Sequence, residues 1–153
     1  MLDQFSNYNN WANSLLLETL LANSISLPES CVSLFSHIIN AQMIWVARIN
    51  GTQPKVSVWQ LHDLDTCSIL LKESIHSLSQ IELPGGSDSP VITYRTSAGE
   101  PYQTSVADIL MHVFNHGTYH RAQIAKEMKS NHLSPVNTDY IQFVRVKNAS
   151  YGM

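Results

Sequence analysis

Charged residues and cysteines are both scarce in this chain. Only 14% of its 153 residues are charged, and its nine lysines and arginines form no basic tract or helix face. Because a phosphate backbone is bound by several clustered cations, we expect no nucleic-acid partner. The two cysteines, Cys31 and Cys67, lie far apart and form no disulfide framework, which favours a reducing compartment.

The sequence also shows no targeting segment and no long apolar run. Its first residues lack the basic and apolar regions of a signal peptide, and no run approaches the ~20 apolar residues that a membrane span requires. We therefore expect a cytoplasmic protein with no membrane partner. The length and the 44% hydrophobic content predict one globular domain over residues 1–153.

Apolar residues recur at helical spacing in four long segments. They predict four helices, over residues 2–22, 28–50, 57–83 and from 104 or 105 to about 130. Ser57 and Gln60 form a capping box at the start of the third helix, and Pro84-Gly85-Gly86 ends it. Because four amphipathic helices in one small domain commonly pack together, the sequence predicts an all-α four-helix bundle.

Two further segments are not long helices. Residues 91–103 are β-branched and aromatic around a turn, and they predict a short β-hairpin before the fourth helix. The chain from Pro135 onward is predicted to be a tail whose apolar residues pack on the helices. These residues are Tyr140, Ile141, Phe143 and Val144.

Seven histidines are unusual beside nine lysines and arginines. Two of them, His116 and His120, replace aliphatic residues in the apolar stripe of the fourth helix. They lie one turn apart on one face, so their imidazoles can reach the same metal ion. The alternative is a pair of hydrogen-bonded core histidines, which would need a neutral tautomer and a partner for each ring.

A third ligand is expected from another helix. His112 lies a further turn away at the edge of the stripe, and adding it would stretch the site to about 12 Å of helix axis, too far for one ion. It is better explained as a supporting or rim residue. His37, beside Leu34, Ala41 and Ile44 in the second helix, is the best candidate. The remaining histidines are predicted to be surface residues: His62, His76 and His132.

Three segments of the helices carry distinctive motifs. The most specific is HGTYHRAQI at residues 116–124, preceded by HVFN at 112–115. The others are HIINAQMIWVARING at 37–51 and YNNWAN at 8–13. Together these segments resemble the DinB-like (DinB/YfiT) superfamily of metal-binding proteins. The resemblance covers nearly the whole chain, and it departs from the family at Ala122, where glycine is frequent.

The resemblance implies both a fold and a site. The fold would be a bundle of helices in up-down-down-up order. The site would hold one divalent transition-metal ion, such as Zn, Ni or Fe, on His37, His116 and His120. Similar proteins include transferases that use low-molecular-weight thiols such as bacillithiol or mycothiol, and a mycothiol-dependent isomerase. Many members are homodimers, and the apolar tail residues are a surface that a second copy could cover.

Three histidine ligands leave an open position, as in catalytic metal sites. The sequence predicts a divalent-metal-binding protein, and the resemblance implies a metal-dependent thiol S-transferase that acts on a small thiol and an electrophile. A non-catalytic metal-binding or stress-response protein and a metal-dependent hydrolase stay open as alternatives. Gln123 and Tyr119 lie at or near the ligand face and could contact a ligand, although such residues are more often packing or rim residues. No cysteine nucleophile is supported, because neither cysteine has a histidine at recognisable spacing.

Overall fold

The computed structural model describes residues 1–83 and 88–152. The described chain is mainly helical, as predicted, with a two-stranded antiparallel hairpin before the last long helix. Its elements are α1 (Leu2–Ala22), α2 (Glu29–Asn50), α3 (Leu64–Ser79), β1 (Val91–Arg95), β2 (Pro101–Ser105), α4 (Val106–Ser130) and α5 (Tyr140–Ser150). In the hairpin, Val91 pairs with Ser105 and Arg95 with Pro101.

The two helices that matter most for the site have clear local boundary signals. Pro28 precedes α2 in an extended conformation, and Glu29 places a carboxylate in the first turn. Gly51 caps the end of this helix, and its φ of 67° is the left-handed conformation that glycine adopts most easily. Ser105 caps the start of α4, where its hydroxyl accepts a hydrogen bond from the Asp108 amide at 3.1 Å.

The predicted start of the third helix at Ser57 is wrong, because α3 begins at Leu64 after an Asp63 cap. The capping contact itself is present, since Gln60 Oε1 accepts from the Ser57 amide at 3.1 Å. The turn does not continue as a helix because side chains of α2 occupy its carbonyl groups. Asn40 Nδ2 donates to the Gln60 carbonyl at 2.8 Å. The predicted end at Pro84-Gly85-Gly86 lies outside the described residues.

The tail contains a helix that the sequence reading missed. α5 packs on α1 through an aromatic cluster in which Tyr140 stacks on Phe5 with centroids 5.4 Å apart. Phe143 is buried against Tyr8 in the same cluster. Ile141 is the exception to the predicted packing, since it is exposed. The tail residues that were expected to meet a second copy are therefore largely covered by α1.

Contacts between the long helices define their directions. α2 runs antiparallel to α4, because Ser30 meets Glu127 near one end and Trp45 meets His112 near the other. α2 also runs parallel to α3, since Ser36 contacts Cys67 and Gln42 contacts Ser74. The core follows these contacts, with its largest cluster formed by α1, α2, α3 and α4.

Among the helices in residues 1–83 and 88–152, α2 is the one that is long and apolar enough to cross a membrane. Its most apolar window has a mean hydropathy of 1.3, but 61% of that window is buried inside the protein. It also holds the buried polar side chains of His37, Asn40 and Gln42. These features are those of a central core helix.

A buried polar network ties α1 to α4. Arg121 is only 3% exposed, and its Nη1 donates to Asn13 Oδ1 at 2.8 Å and to Asn9 Oδ1 at 3.3 Å. Thr118 accepts from its Nη2 at 3.0 Å. The guanidinium passes over Gly117, where an added Cβ would lie 2.9 Å from both Arg121 Nη1 and Asn9 Oδ1. Glycine at this position therefore makes room for the network.

We predict that Gly117→Ala destabilises the protein by about 1–2 kcal/mol. Alanine gains about 1 kcal/mol of helix propensity, but the clash with two held side chains costs more. Urea unfolding would measure the change, with Ala122→Gly on the exposed face of α4 reporting the propensity effect alone. The cost should shrink in an Arg121→Met background. A stabilised Gly117→Ala protein would contradict the packing described.

Candidate metal centre

Three histidines from two helices meet inside the protein. His37 comes from α2, and His116 and His120 come from α4. The Nε2 atom of His116 lies 3.0 Å from Nε2 of His37 and 3.1 Å from Nε2 of His120. The three donor atoms all lie within 4.8 Å of one another. The sequence reading therefore chose the histidines that the fold brings together.

The geometry fits a small divalent ion. With bonds of about 2.0–2.1 Å, two histidine nitrogens on a tetrahedral ion lie about 3.3 Å apart. The distances of 3.0 and 3.1 Å are shorter by a few tenths of an ångström, so a slight outward movement of the rings would complete the site. The three residues could hold one metal ion.

Neighbouring acceptors fix the tautomers of two of the rings. Nδ1 of His37 donates to the Val58 carbonyl at 2.9 Å, and Nδ1 of His120 donates to Gln123 Oε1 at 2.6 Å. Each ring then has its proton on Nδ1 and a free lone pair on Nε2, which faces the other histidines. Such partners behind a ligand orient it and raise its basicity. Gln123 thus contacts a proposed ligand rather than the ion.

Trp59 is a site residue that the sequence reading missed. Its ring stacks on His37 with centroids 3.8 Å apart and planes 6° from parallel, while 57% of the side chain stays exposed. The Val58 carbonyl accepts a hydrogen bond from Nδ1 of the same imidazole, so two consecutive residues fix the ring of His37. The sequence contained no signal for this contact, because Trp59 was assigned to a helix that does not form there.

The loop behind His37 is fastened to α2 by buried polar groups. His62 Nε2 lies 2.8 Å from Asn40 Oδ1, and the His62 amide donates to Ser36 Oγ at 3.1 Å. The prediction that His62 is a surface residue is therefore wrong, since it is 7% exposed. His76 and His132 are exposed, as predicted.

Burial keeps two of the three imidazoles neutral, those of His116 and His37. Desolvation, assisted by the nearby rings of His120, His37 and His112, lowers the pKa of His116 to about 3. Burial also lowers the pKa of His37, and the effect outweighs the hydrogen bond to Val58 that would raise it. Neutral imidazoles have lone pairs available to a metal, so the environment prepares the donors.

The other residues considered from the sequence lie at the edge of the cluster. His112 is exposed, with its ring centroid 5.7 Å from that of His116 and 5.5 Å from that of Trp45. It is not one of the three grouped donors. Tyr119 is also exposed, and its ring lies 5.1 Å from that of His120. Both positions match those of rim residues.

Comparison with known proteins gives one match. The model of the DinB family matches residues 1–150, which is nearly the whole chain. No curated protein matches, and no solved structure matches.

Alanine variants should separate the ligands from the rim. We predict that His116→Ala and His120→Ala each weaken metal binding by more than about 100-fold, because each removes a donor from the centre. His112→Ala should stay within about tenfold of the parent protein, and His132→Ala is the matched surface control. Titration with Zn²⁺ against a chromophoric chelator would measure the affinities. Equal affinity in the parent and His116→Ala would refute this arrangement.

The metal-free protein should lose stability as the pH falls below about 6.5. Above that value His116 is neutral in both states. Below it the unfolded chain takes up a proton at the ordinary pKa of about 6.5, whereas folded His116 does so only near 3. Urea unfolding between pH 7 and 5 should show a shallower decline in His116→Asn than in the parent. Parallel declines would mean that folded His116 has an ordinary pKa.

Proposed function

The chain belongs to the DinB family, and we propose that it binds one divalent transition-metal ion through His37, His116 and His120. The observation that carries this proposal is the convergence of three Nε2 atoms within 4.8 Å of one another. Gln123 and the Val58 carbonyl hold the opposite nitrogens of two of these rings.

Hydrogen bonds alone do not satisfy the cluster. With Nδ1 of His37 and His120 protonated, both Nε2 atoms are acceptors that face His116 Nε2. His116 can offer at most one proton there, so at least one buried lone pair is left without a donor. A buried polar atom without a partner costs free energy, whereas a metal ion accepts all three lone pairs. This favours a metal site over a core of hydrogen-bonded histidines.

We further propose a metal-dependent thiol S-transferase as the activity. A bound Zn, Ni or Fe ion with an open position supplies Lewis-acid chemistry, which lowers the pKa of a thiol or water that binds to it. In the transfer, the thiol loses its proton to solvent, its sulfur forms a bond to an electrophilic carbon, and the leaving group departs with the electron pair of the broken bond. Val58 and Gln123 would hold His37 and His120 in orientation throughout, and burial favours the neutral forms of His37 and His116.

A specific observation favours a thiol over water as nucleophile. Within the described part of the chain, no carboxylate contacts the three imidazoles, so hydrolysis would lack the acidic residue that commonly serves as general base. A thiol would not need such a base, because the bound ion would lower its pKa enough for the proton to pass to solvent. The hydrolase remains the second candidate because His112, near His116, could act as a base. A non-catalytic metal-binding or stress-response role is the third.

The helix order, the compartment and the partners of the chain are further proposals. We propose that the four long helices form an up-down-down-up bundle, which the directions of α2, α3 and α4 support. We also propose a cytoplasmic homodimer without nucleic-acid or membrane partners. The low charge and two free cysteines support the compartment. The dimer has no support from the tail, because α1 covers most of it.

Turnover assays should identify the activity. Protein loaded with Zn²⁺, Ni²⁺ or Fe²⁺ is mixed with a panel of small thiols and 1-chloro-2,4-dinitrobenzene. We expect thiol-dependent release of chloride, reduced by at least about 100-fold in His120→Ala, which loses a donor. Turnover of 4-nitrophenyl acetate without thiol would instead indicate the hydrolase. Metal binding without either reaction would favour the non-catalytic role.

A further inference from the structure

A large groove adjoins the histidine cluster on the hairpin side. Its volume is 800 Å³, and it lies between the end of α2, the loop at residues 51–59 and strand β1. Trp59 is the shared wall, since it lines this groove and stacks on His37 with a centroid distance of 3.8 Å. A molecule at the cluster could therefore extend into the groove along Trp59.

The charge of this groove has one sign. Of the described residues that line it, two are charged, Arg48 and Arg95. The groove on the other side of Trp59 differs, because it has both Lys126 and Glu127 in its wall. The surface next to the cluster thus offers one purely cationic compartment and one of balanced charge.

Neither arginine is paired with a carboxylate in the described part of the chain. Arg48 lies over the ring of Trp45 at 4.5 Å and that of Tyr94 at 5.3 Å. Arg95 donates from Nη1 to the Gly99 carbonyl at 2.8 Å. Burial lowers the pKa of Arg48, so this guanidinium is partly desolvated without an anion to compensate it. Both side chains keep donors available for an oxyanion, which arginine binds well.

Helix α2 sets the distance between the histidine cluster and the arginine end of the groove. Ile44 and Arg48 follow His37 on α2 by seven and eleven residues. At 1.5 Å per residue, these separations are about 10 Å and 16 Å along the axis. A small thiol whose sulfur lies at the cluster cannot reach Arg48, whereas an extended one can.

We infer that the groove binds the anionic end of an extended thiol, a carboxylate or phosphate held by Arg48 and Arg95, while the sulfur lies at the histidine cluster. This inference rests on the proposed thiol-dependent function and specifies the substrate. Trp59 lies between the two ends and contacts the connecting chain. The arginines act in substrate selection and are not catalytic residues.

The direct test compares thiols that differ in length and charge. Co²⁺-loaded protein is titrated with 8-mercaptooctanoate, its methyl ester and 3-mercaptopropionate, and the near-ultraviolet sulfur-to-cobalt absorption reports binding. We expect the long acid to bind about tenfold or more tightly than the ester and the short acid. Added salt should weaken the binding of the long acid selectively. Equal affinity for the long acid and its ester would overturn the inference.

Charge-removing variants locate the contact. Arg48→Gln and Arg95→Gln should each reduce affinity for the long acid toward that of the ester, and Arg48→Lys should restore part of it. Arg145→Gln, at an exposed position on α5, removes the same charge elsewhere and should change nothing. If Arg48 only stabilises the aromatic rings, Arg48→Gln would lower the melting temperature but leave the acid-to-ester ratio intact, which would refute the inference.

Two further experiments distinguish failure of the anion site from failure of the proposed thiol function. Octanoate has no sulfur, and in metal-free protein it should shift the side-chain Nε–Hε signals of Arg48 and Arg95 in NMR spectra. If no thiol gives the cobalt absorption while octanoate still shifts these signals, the thiol function fails and the anion site stands. If octanoate shifts neither signal, the site fails. Arginine variants that raise KM only for 4-chloro-3,5-dinitrobenzoate would place the anion on the electrophile and overturn the assignment to the thiol.

Discussion

Three imidazole lone pairs directed at one point in a protein interior impose the main constraint on this structure. Each ring must be neutral, because a proton on Nε2 would block the proposed metal and a charge would be costly to bury. Two of the rings are also held from behind, which keeps them from turning away from their neighbours. The carbonyl of Val58 does this for His37, and Gln123 does it for His120. The cluster therefore depends on residues that would not touch the proposed ion.

The sequence of α4 serves two faces of the helix at once. His116 and His120 face α2, and Gln123 is placed one turn on to hold the second of them. Arg121 points to α1, where it meets asparagine side chains across the space left by Gly117. The segment at residues 116–124 thus has two roles. Its histidines form the cluster, and its arginine fixes α4 against α1. Rotation of α4 by even a fraction of a turn would disturb both.

Helical periodicity was sufficient to predict the long helices and to place His116 and His120 on an inner face. His37 could also be predicted as a ligand, because its apolar neighbours place it on the inner face of α2. Trp59 and His62 could not be found in this way, because their roles depend on a loop folding back on α2. The capping box at Ser57 was chemically correct but misleading, since local contacts cannot reveal that α2 occupies the carbonyl groups of the turn. These predictions failed because they depended on contacts between the loop and α2, which are distant in sequence.

α2 shows how a helix of membrane-like hydropathy can lie among other helices in the core of a protein. Its polar residues point in different directions, and each meets a different neighbour. His37 meets α4, Asn40 meets the loop before α3, and Gln42 bonds to both α1 and α3. In a lipid environment these groups would need partners that lipid cannot supply. Because four separate parts of the chain satisfy these groups, α2 is enclosed by protein, and the donor atom of His37 is fixed by the same packing that forms the core.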